Sequence, residues 1–225
     1  MHIKIGNKII DPTKIICLGR NYADHAREMK TQIPKSPVFF AKTVNTLVTN
    51  GNPIIYPKII YNNQDYNQVD HEVELALIIS QTCKNIQAEY GYKYIEGYSV
   101  FLDITARKMQ ISDRNINLPW YRSKNFDTFG PIGPRIAPYS EIEDPHNLNI
   151  QLKINGELRQ QSNTKHMLFK IPEILAYLSR FITLVSGDIV ATGTPSGVGS
   201  IQPGDIIDAS IDKIGTITHK VILEE

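Results

Sequence analysis

The dipeptide Asn155-Gly156, set between the alternating runs "LNIQLKI" and "ELRQQ", narrows what this chain can fold into more than any other feature. An Asn-Gly pair supplies the positive φ angles of a tight hairpin turn, and the alternation on either side gives each strand one face for a core. The same grammar recurs elsewhere. "KIICLG", "VFFAK", "NTLVTNGNPIIYP", "YIEGYSVFLDIT", "DIVATG", "DIIDASI" and "TITHKVIL" are short apolar runs bounded by turn residues, and the first ten residues alternate like one strand. Helical spacing is rarer. "IPEILAYLSRFI" places Ile171, Ile174, Leu175, Leu178 and Ile182 on one face, with Pro172 tolerated in the first turn. "NYADHAREMK" predicts a short helix from Asn21 to about Lys30, and "TARKMQISDRNI" predicts another with Thr105 near its start. Together these features predict an α+β class: a single β-rich domain over residues 1–225, with a rolled or barrel-like sheet and a few peripheral helices.

Charge and cysteine usage restrict the partners. The chain of 225 residues carries 24 Lys+Arg against 23 Asp+Glu, so a net charge of +1 gives no electrostatic reason to expect a nucleic acid or an anionic membrane. Cys17 and Cys83 stand alone in apolar surroundings, which points to neither a zinc site nor a disulfide framework. No run approaches the roughly 20 apolar residues of a membrane span, and the N-terminus lacks a leader pattern. A cytoplasmic location is expected.

The stretch "DHEVELALII" holds the first chemistry. Strand parity puts His71, Val73, Leu75, Leu77 and Ile79 on one face and Glu72, Glu74, Ala76 and Ile78 on the other, so the two glutamates are neighbours. One reading is a wet strand face. The other is a metal site: like charges two residues apart repel unless a cation lies between them, and oxygen ligands favour Mg²⁺, Mn²⁺ or Ca²⁺ over zinc. Asp103, at the end of "YSVFLD", offers a third acid, although a residue there can equally serve as a helix cap. Arg107 and Gln110 follow at helical i and i+3, and Lys124 lies among aromatic and polar residues in "WYRSKNFD". Together they describe a cationic, oxygen-ligated site suited to a small carboxylate.

Two further segments remain open between function and scaffold. "ATGTPSGVG" has no nucleotide-loop spacing, yet it could bring backbone N–H groups and the Thr194 hydroxyl to an anion, or be an ordinary turn. In "DHARE", His25 and Glu28 at i and i+3 can form a general base oriented by a carboxylate, or a plain surface contact. Gly and Pro around the segment leave room for a mobile lid within the N-terminal residues 1–50.

The ordered set "GRNYADHARE", "PVFFAK", "DHEVELALII", "GYSVFLDITARKMQ", "LPWYRSKNFDTFGPIGP", "DPHNLNIQLKINGELRQ" and "IVATGTPSGVG" resembles the fumarylacetoacetate hydrolase family, in particular its short acylpyruvate hydrolase and oxaloacetate decarboxylase branch. The likeness runs from about Ile15 to the C-terminus. It implies a mixed β-roll, a homodimer, and one Mg²⁺ or Mn²⁺ per subunit bound by Glu72, Glu74 and Asp103. It further implies substrate contacts from Arg107, Gln110, Lys124 and Thr194, and a lid dyad of His25 and Glu28. Arg20 and Lys42 also match the family pattern. The extra N-terminal domain of long fumarylacetoacetases is not expected, nor is fumarylacetoacetate as substrate.

The activity expected from the resemblance is metal-dependent cleavage of a C–C bond in a small 2-oxo acid, by hydrolysis of an acylpyruvate or decarboxylation of oxaloacetate. His25, Glu28 and Lys124 are the expected catalytic residues. Two alternatives accompany it: an isomerase or hydratase of dienoate diacids, and a non-catalytic metal-dependent carboxylate-binding protein.

Overall fold

The computed structural model describes residues 2–225, and its frame is a seven-stranded sheet. Across that sheet the strands run Val38–Lys42, Ile15–Gly19, Ile189–Ala191, Val73–Ile79, Ile95–Leu102, Gly130–Pro138 and Leu47–Thr49. Most neighbours are antiparallel; Ile189–Ala191 lies parallel to Ile15–Gly19, and Gly130–Pro138 parallel to Leu47–Thr49. A five-stranded sheet, ordered Glu157–Asn163, Asn149–Ile154, Ile206–Ile211, Gly215–Leu223 and Ile54–Tyr56, packs against it. The fold is therefore α+β, with curled mixed sheets and few helices, as the run of short strands predicts.

Each strong local signal forms its element. Asn155 (φ 51°) and Gly156 (φ 84°) turn the hairpin between Asn149–Ile154 and Glu157–Asn163. The long helix covers Ile171–Phe181 and buries Ile171, Ile174, Leu175 and Leu178, while Ile182 just beyond it packs partly buried against the same core. Its N-terminus is closed by Glu173, whose carboxylate accepts from the Lys170 N–H at 2.8 Å.

Three expectations need correction. The first ten residues do not make one strand: Ile3–Ile5 and Lys8–Ile10 pair with each other, because Gly6 at φ 60° turns the chain. The helix of "NYADHAREMK" is trimmed to Ala23–Glu28, and that of "TARKMQISDRNI" begins at Arg107, since Thr105–Ala106 pair instead with Val69–Asp70. "DHEVELALII" is not one strand. Val69–His71 belongs to a three-stranded sheet with Thr105–Ala106 and Gly199–Ile201, Val73–Ile79 belongs to the seven-stranded sheet, and Glu72 is the break between them.

Parity nonetheless holds from Val73 onward, and it decides between the wet face and the dry one. Val73, Leu75, Leu77 and Ile79 enter the main core with the long helix and the five-stranded sheet. Ala76 and Ile78 enter a second core, closed by Ile3, Ile5 and Ile10 of the N-terminal hairpin. Both faces of the strand are buried, so its acids are not a solvated face. Cys17 and Cys83 are free thiols in separate cores. Among the described residues no helix is long and apolar enough to cross a membrane.

Burial also sets one pH response. His219 is buried in Gly215–Leu223; its Nδ1 donates to the Asn52 carbonyl at 2.7 Å and its Nε2 has no partner among the described residues. Desolvation lowers its pKa below the ordinary 6.5, so below that pH the unfolded chain takes up the proton first. Its contribution is full above about pH 6.5 and is lost as the pH falls toward the depressed folded value. His219→Asn keeps a donor for Asn52 and is expected to flatten the decline in urea-unfolding free energy from about pH 7 to about pH 5, by less than about 1.4 kcal/mol per pH unit. An unchanged slope would remove His219 from that response.

Candidate metal and carboxylate site

Glu72 owes its position to the strand break. Its carbonyl accepts from the Asp103 N–H at 2.9 Å, which brings the ends of two strands together and with them their acids. One oxygen from each of Glu72, Glu74 and Asp103 lies within 4.8 Å of the others, and all three residues are buried. Position alone allowed Asp103 to be a helix cap; the helix Arg107–Asn115 starts too late for that, and no side chain caps it.

Three cations surround the acids. Lys124 Nζ donates to Asp103 Oδ2 at 2.5 Å, to Glu72 Oε2 at 3.2 Å and to Thr105 Oγ1 at 2.6 Å. Lys42 Nζ reaches Asp103 Oδ1 at 2.8 Å and the Ile104 carbonyl at 3.1 Å. Arg107 clamps Glu72 through Nη2 and Asp70 through Nε at 2.7 Å, and its Nη1 donates to Gln110 Oε1 at 2.6 Å. Burial alone would raise the Glu72 carboxyl, yet Lys124 and Arg107 outweigh it and hold the group well below the ordinary range. Glu74 goes the other way. Burial, then Asp103 and Glu72, push it well above the usual carboxylate value, and its Oε2 accepts from the Gly193 N–H at 2.8 Å.

Charge counting shows what the pocket lacks. Four buried acids, Asp70, Glu72, Glu74 and Asp103, stand against three buried cations, Lys42, Arg107 and Lys124, so that with every acid ionised the cluster is one positive charge short. Among the described residues, Glu74 is the acid of the four with no cation paired to it. A divalent ion would reverse the sign of the deficit, and three carboxylate oxygens with no sulfur or imidazole suit a hard ion such as Mg²⁺ or Mn²⁺. The residues present therefore fit a divalent metal.

Glu72 and Glu74 open into a cleft. Arg20, His25, Glu72, Glu74, Arg107, Gln110, Lys124 and Thr194 all line it. Asp103, Lys42 and Glu28 do not: the first two form a buried pair behind the wall, and Glu28 lies outside, joining His25 Nδ1 at 3.2 Å to the Gly197 N–H at 2.9 Å. His25 itself is buried on its short helix, so the His25–Glu28 pair is not a plain surface contact. Arg20 is delivered from a left-handed backbone (φ 61°), with the chain after it pinned by Asn21, whose amide bonds the Phe169 backbone and the Thr192 carbonyl.

The glycine-rich loop differs from its expectation. Gly193 sits at φ +92°, with Asn21 Cβ only 2.8 Å from where a side chain would begin, and its N–H serves Glu74. The Gly197 N–H serves Glu28. Both amides satisfy protein carboxylates, so of this loop it is Thr194 that lines the cleft. Sequence reasoning also missed Asp70, which orients Arg107 and shares the parity of Glu72; Arg114, which lines the cleft; and Trp120, which lines it edge-on to Phe40 at 5.5 Å.

Known proteins resemble this chain in both sequence and fold. The family model described as fumarylacetoacetate (FAA) hydrolase C-terminal matches residues 14–222. A mitochondrial oxaloacetate tautomerase of Arabidopsis thaliana is 42% identical over 209 residues, 93% of this chain and 91% of its own. The structure of fumarylpyruvate hydrolase from Pseudomonas aeruginosa, in complex with Mn²⁺ and pyruvate, superimposes with a TM-score of 0.90 at 33% identity, over 100% of this chain and 96% of that one. A 2-hydroxyhepta-2,4-diene-1,7-dioate isomerase from Mycobacterium marinum gives a TM-score of 0.83 at 34% identity, over 96% and 78%.

Glu74→Gln separates metal binding from folding. It keeps an acceptor for the Gly193 N–H and removes the carboxyl that its neighbours repel, so the metal-free variant is expected to melt no lower than wild type. Mg²⁺ or Mn²⁺ at about a hundredfold its Kd should stabilise wild type by about 2.7 kcal/mol and the variant far less. Thermal melts with EDTA or with metal read both, and an equal metal response in the two proteins would exclude Glu74 as a ligand.

Proposed function

Because the chain belongs to the fumarylacetoacetate hydrolase family, we propose that it is a divalent-metal-dependent enzyme acting on a small 2-oxo acid, with cleavage of the C–C bond beyond the oxo group as its reaction. The observation that carries the proposal is that His25, oriented by Glu28, lines the same cleft as the acids Glu72 and Glu74. A purely carboxylate-binding protein has no use for a buried imidazole held there by a carboxylate. We assign Mg²⁺ or Mn²⁺ to Glu72, Glu74 and Asp103; when bound, it would supply Lewis acidity toward the oxygens of the 2-oxo acid.

The chain's own residues do the rest. Gln110 commits its oxygen to Arg107, so its amide NH₂ is free to donate to the substrate, as is the hydroxyl of Thr194. Lys124 keeps its charge, its affinity for the proton raised by Asp103 and Glu72 against the opposing pull of burial, and so adds positive potential beside the reacting oxygens. For an acylpyruvate, His25 takes a proton from water and the resulting hydroxide adds to the distal carbonyl. The C–C bond then breaks, its electron pair passes to C3 of the pyruvate half, and that carbon is reprotonated. A carboxylic acid and pyruvate leave.

A second reading is tautomerisation or isomerisation, favoured by the likeness to the oxaloacetate tautomerase and the diene-dioate isomerase. It needs only proton movement between carbon and oxygen, which the same imidazole can serve without water attack. Arg20 and Arg114 bear on the substrate under either reading. Both guanidinium-bearing residues line the cleft, and neither has a carboxylate partner among the described residues. Two such cations at the cleft favour a substrate with a second carboxylate, such as oxaloacetate.

Oxaloacetate, acetylpyruvate and a longer acylpyruvate, each with Mg²⁺, Mn²⁺ or EDTA, test the activity. Turnover by wild type that vanishes in EDTA is expected, and product mass separates cleavage from isomerisation. His25→Ala should lower kcat on acylpyruvates by roughly a hundredfold or more, the usual size of a general-base contribution; wild-type rates would reject the assignment. Arg114→Ala should raise KM for oxaloacetate by roughly tenfold or more and leave that for acetylpyruvate nearly unchanged, consistent with one lost hydrogen bond to a charged group. Equal effects on both substrates would contradict a role in reading the second carboxylate.

A further inference from the structure

Gln160 lies outside the cleft wall, fully buried in the strand Glu157–Asn163. Its carboxamide joins three segments. Oε1 is 3.1 Å from the Val73 N–H and 2.9 Å from His71 Nδ1, while Nε2 is 2.8 Å from Thr194 Oγ1 and 2.9 Å from the Pro195 carbonyl.

Two of these partners have no choice of role. A backbone N–H can only donate and a backbone carbonyl can only accept, so Val73 must face the amide oxygen and Pro195 the amide nitrogen. The orientation of the amide is thereby fixed. With it fixed, Oε1 accepts from His71 as well, so Nδ1 of that ring carries a hydrogen. Nε2 of Gln160 donates to Thr194, which occupies a lone pair of the hydroxyl and leaves its hydrogen to point elsewhere. Among the described residues no acceptor takes that hydrogen, and Thr194 lines the cleft.

We propose that Gln160 is a positioning residue for the reaction. It makes the Thr194 hydroxyl an obligate donor to an anionic oxygen of the substrate, and through His71 and Val73 it fixes both sides of the chain break that aims Glu72. Sequence neighbours on either side of a ligand and the hydroxyl across from it are thus held by one amide. The proposal rests on the reading that the cleft takes a 2-oxo acid, and its test uses binding rather than turnover so that the two can fail separately.

Oxalate serves as the probe, titrated calorimetrically into the full-length protein with saturating Mn²⁺. Gln160→Glu preserves size but offers only acceptors: the replacement carboxylate draws the Thr194 hydrogen back to itself and sets an oxygen against the Pro195 carbonyl. Oxalate binding should weaken roughly ten- to hundredfold, the scale of a hydrogen bond to a charged group. Thr194→Val should lose a similar factor, and the double variant should bind no more weakly than Thr194→Val alone, because the amide acts through the hydroxyl. A structural role alone predicts additive losses. Should Gln160→Glu fail to fold, Thr194→Ser, which keeps the hydroxyl, should retain most of the oxalate affinity that Thr194→Val loses. Absence of oxalate binding by wild type, wild-type affinity in Gln160→Glu or in Thr194→Val, or additive losses in the double variant would each overturn the proposal. Turnover of 2-oxo acids by wild type in that event would leave the proposed function standing.

Discussion

Four carboxylates and three cations share one dry volume, and the structure around them is arranged to make that tolerable. Burying any of these charges alone costs several kcal/mol, so each is acceptable only with its partners in place. Lys42, Lys124 and Arg107 each answer specific oxygens, and Asp70 answers Arg107 from the strand next door. The exception is Glu74, which receives a backbone N–H where the others receive a cation. Such an imbalance is costly in a stable core and purposeful in a site that accepts a cation.

Neutral groups complete what charge begins. The loop that carries Thr194 is held by Gly193 against Glu74 and by Gly197 against Glu28, so the acid cluster and the imidazole helix are both tied to one short segment. Only glycine permits this: at Gly193 the Asn21 Cβ lies 2.8 Å from where a side chain would begin, and at Gly197 the Arg159 carbonyl lies 2.2 Å from that point. A loop that resembles a phosphate cradle is in fact a splint between two parts of the cleft.

The sequence made the fold class and the acid triad readable for different reasons. Turns such as Asn155-Gly156 and the single sustained helical period are local, and local chemistry survives into the folded chain. Parity identified Glu72 and Glu74 as neighbours; position offered Asp103 as a third acid or a cap, and the cations that follow it and the family likeness tipped it toward the metal reading. Illegible were the parts fixed by distant partners. The break at Glu72 depends on a carbonyl bond to Asp103 and an amide from Gln160, and Gln160 itself looks in sequence like any polar residue of a hairpin. Nor could pattern alone show that Lys42 faces Asp103 and not the cleft, or that Glu28 spends one oxygen on the loop.

The seating of Ile189–Ala191 at the middle of the large sheet has a consequence for how the molecule comes into being. That strand separates Ile15–Gly19 from Val73–Ile79, so the sheet's centre is stitched from the beginning, the first third and the far end of the chain. During synthesis the acids at positions 72, 74 and 103 leave the ribosome well before the strand that closes the sheet beside them. For that interval the strand bearing Glu74 has an open edge and its charges lack the enclosure that later makes them tolerable. Non-local closure of this kind slows folding, because loop entropy is lost before the contacts that compensate it form. The binding centre is thus among the last parts of the newborn protein to become real.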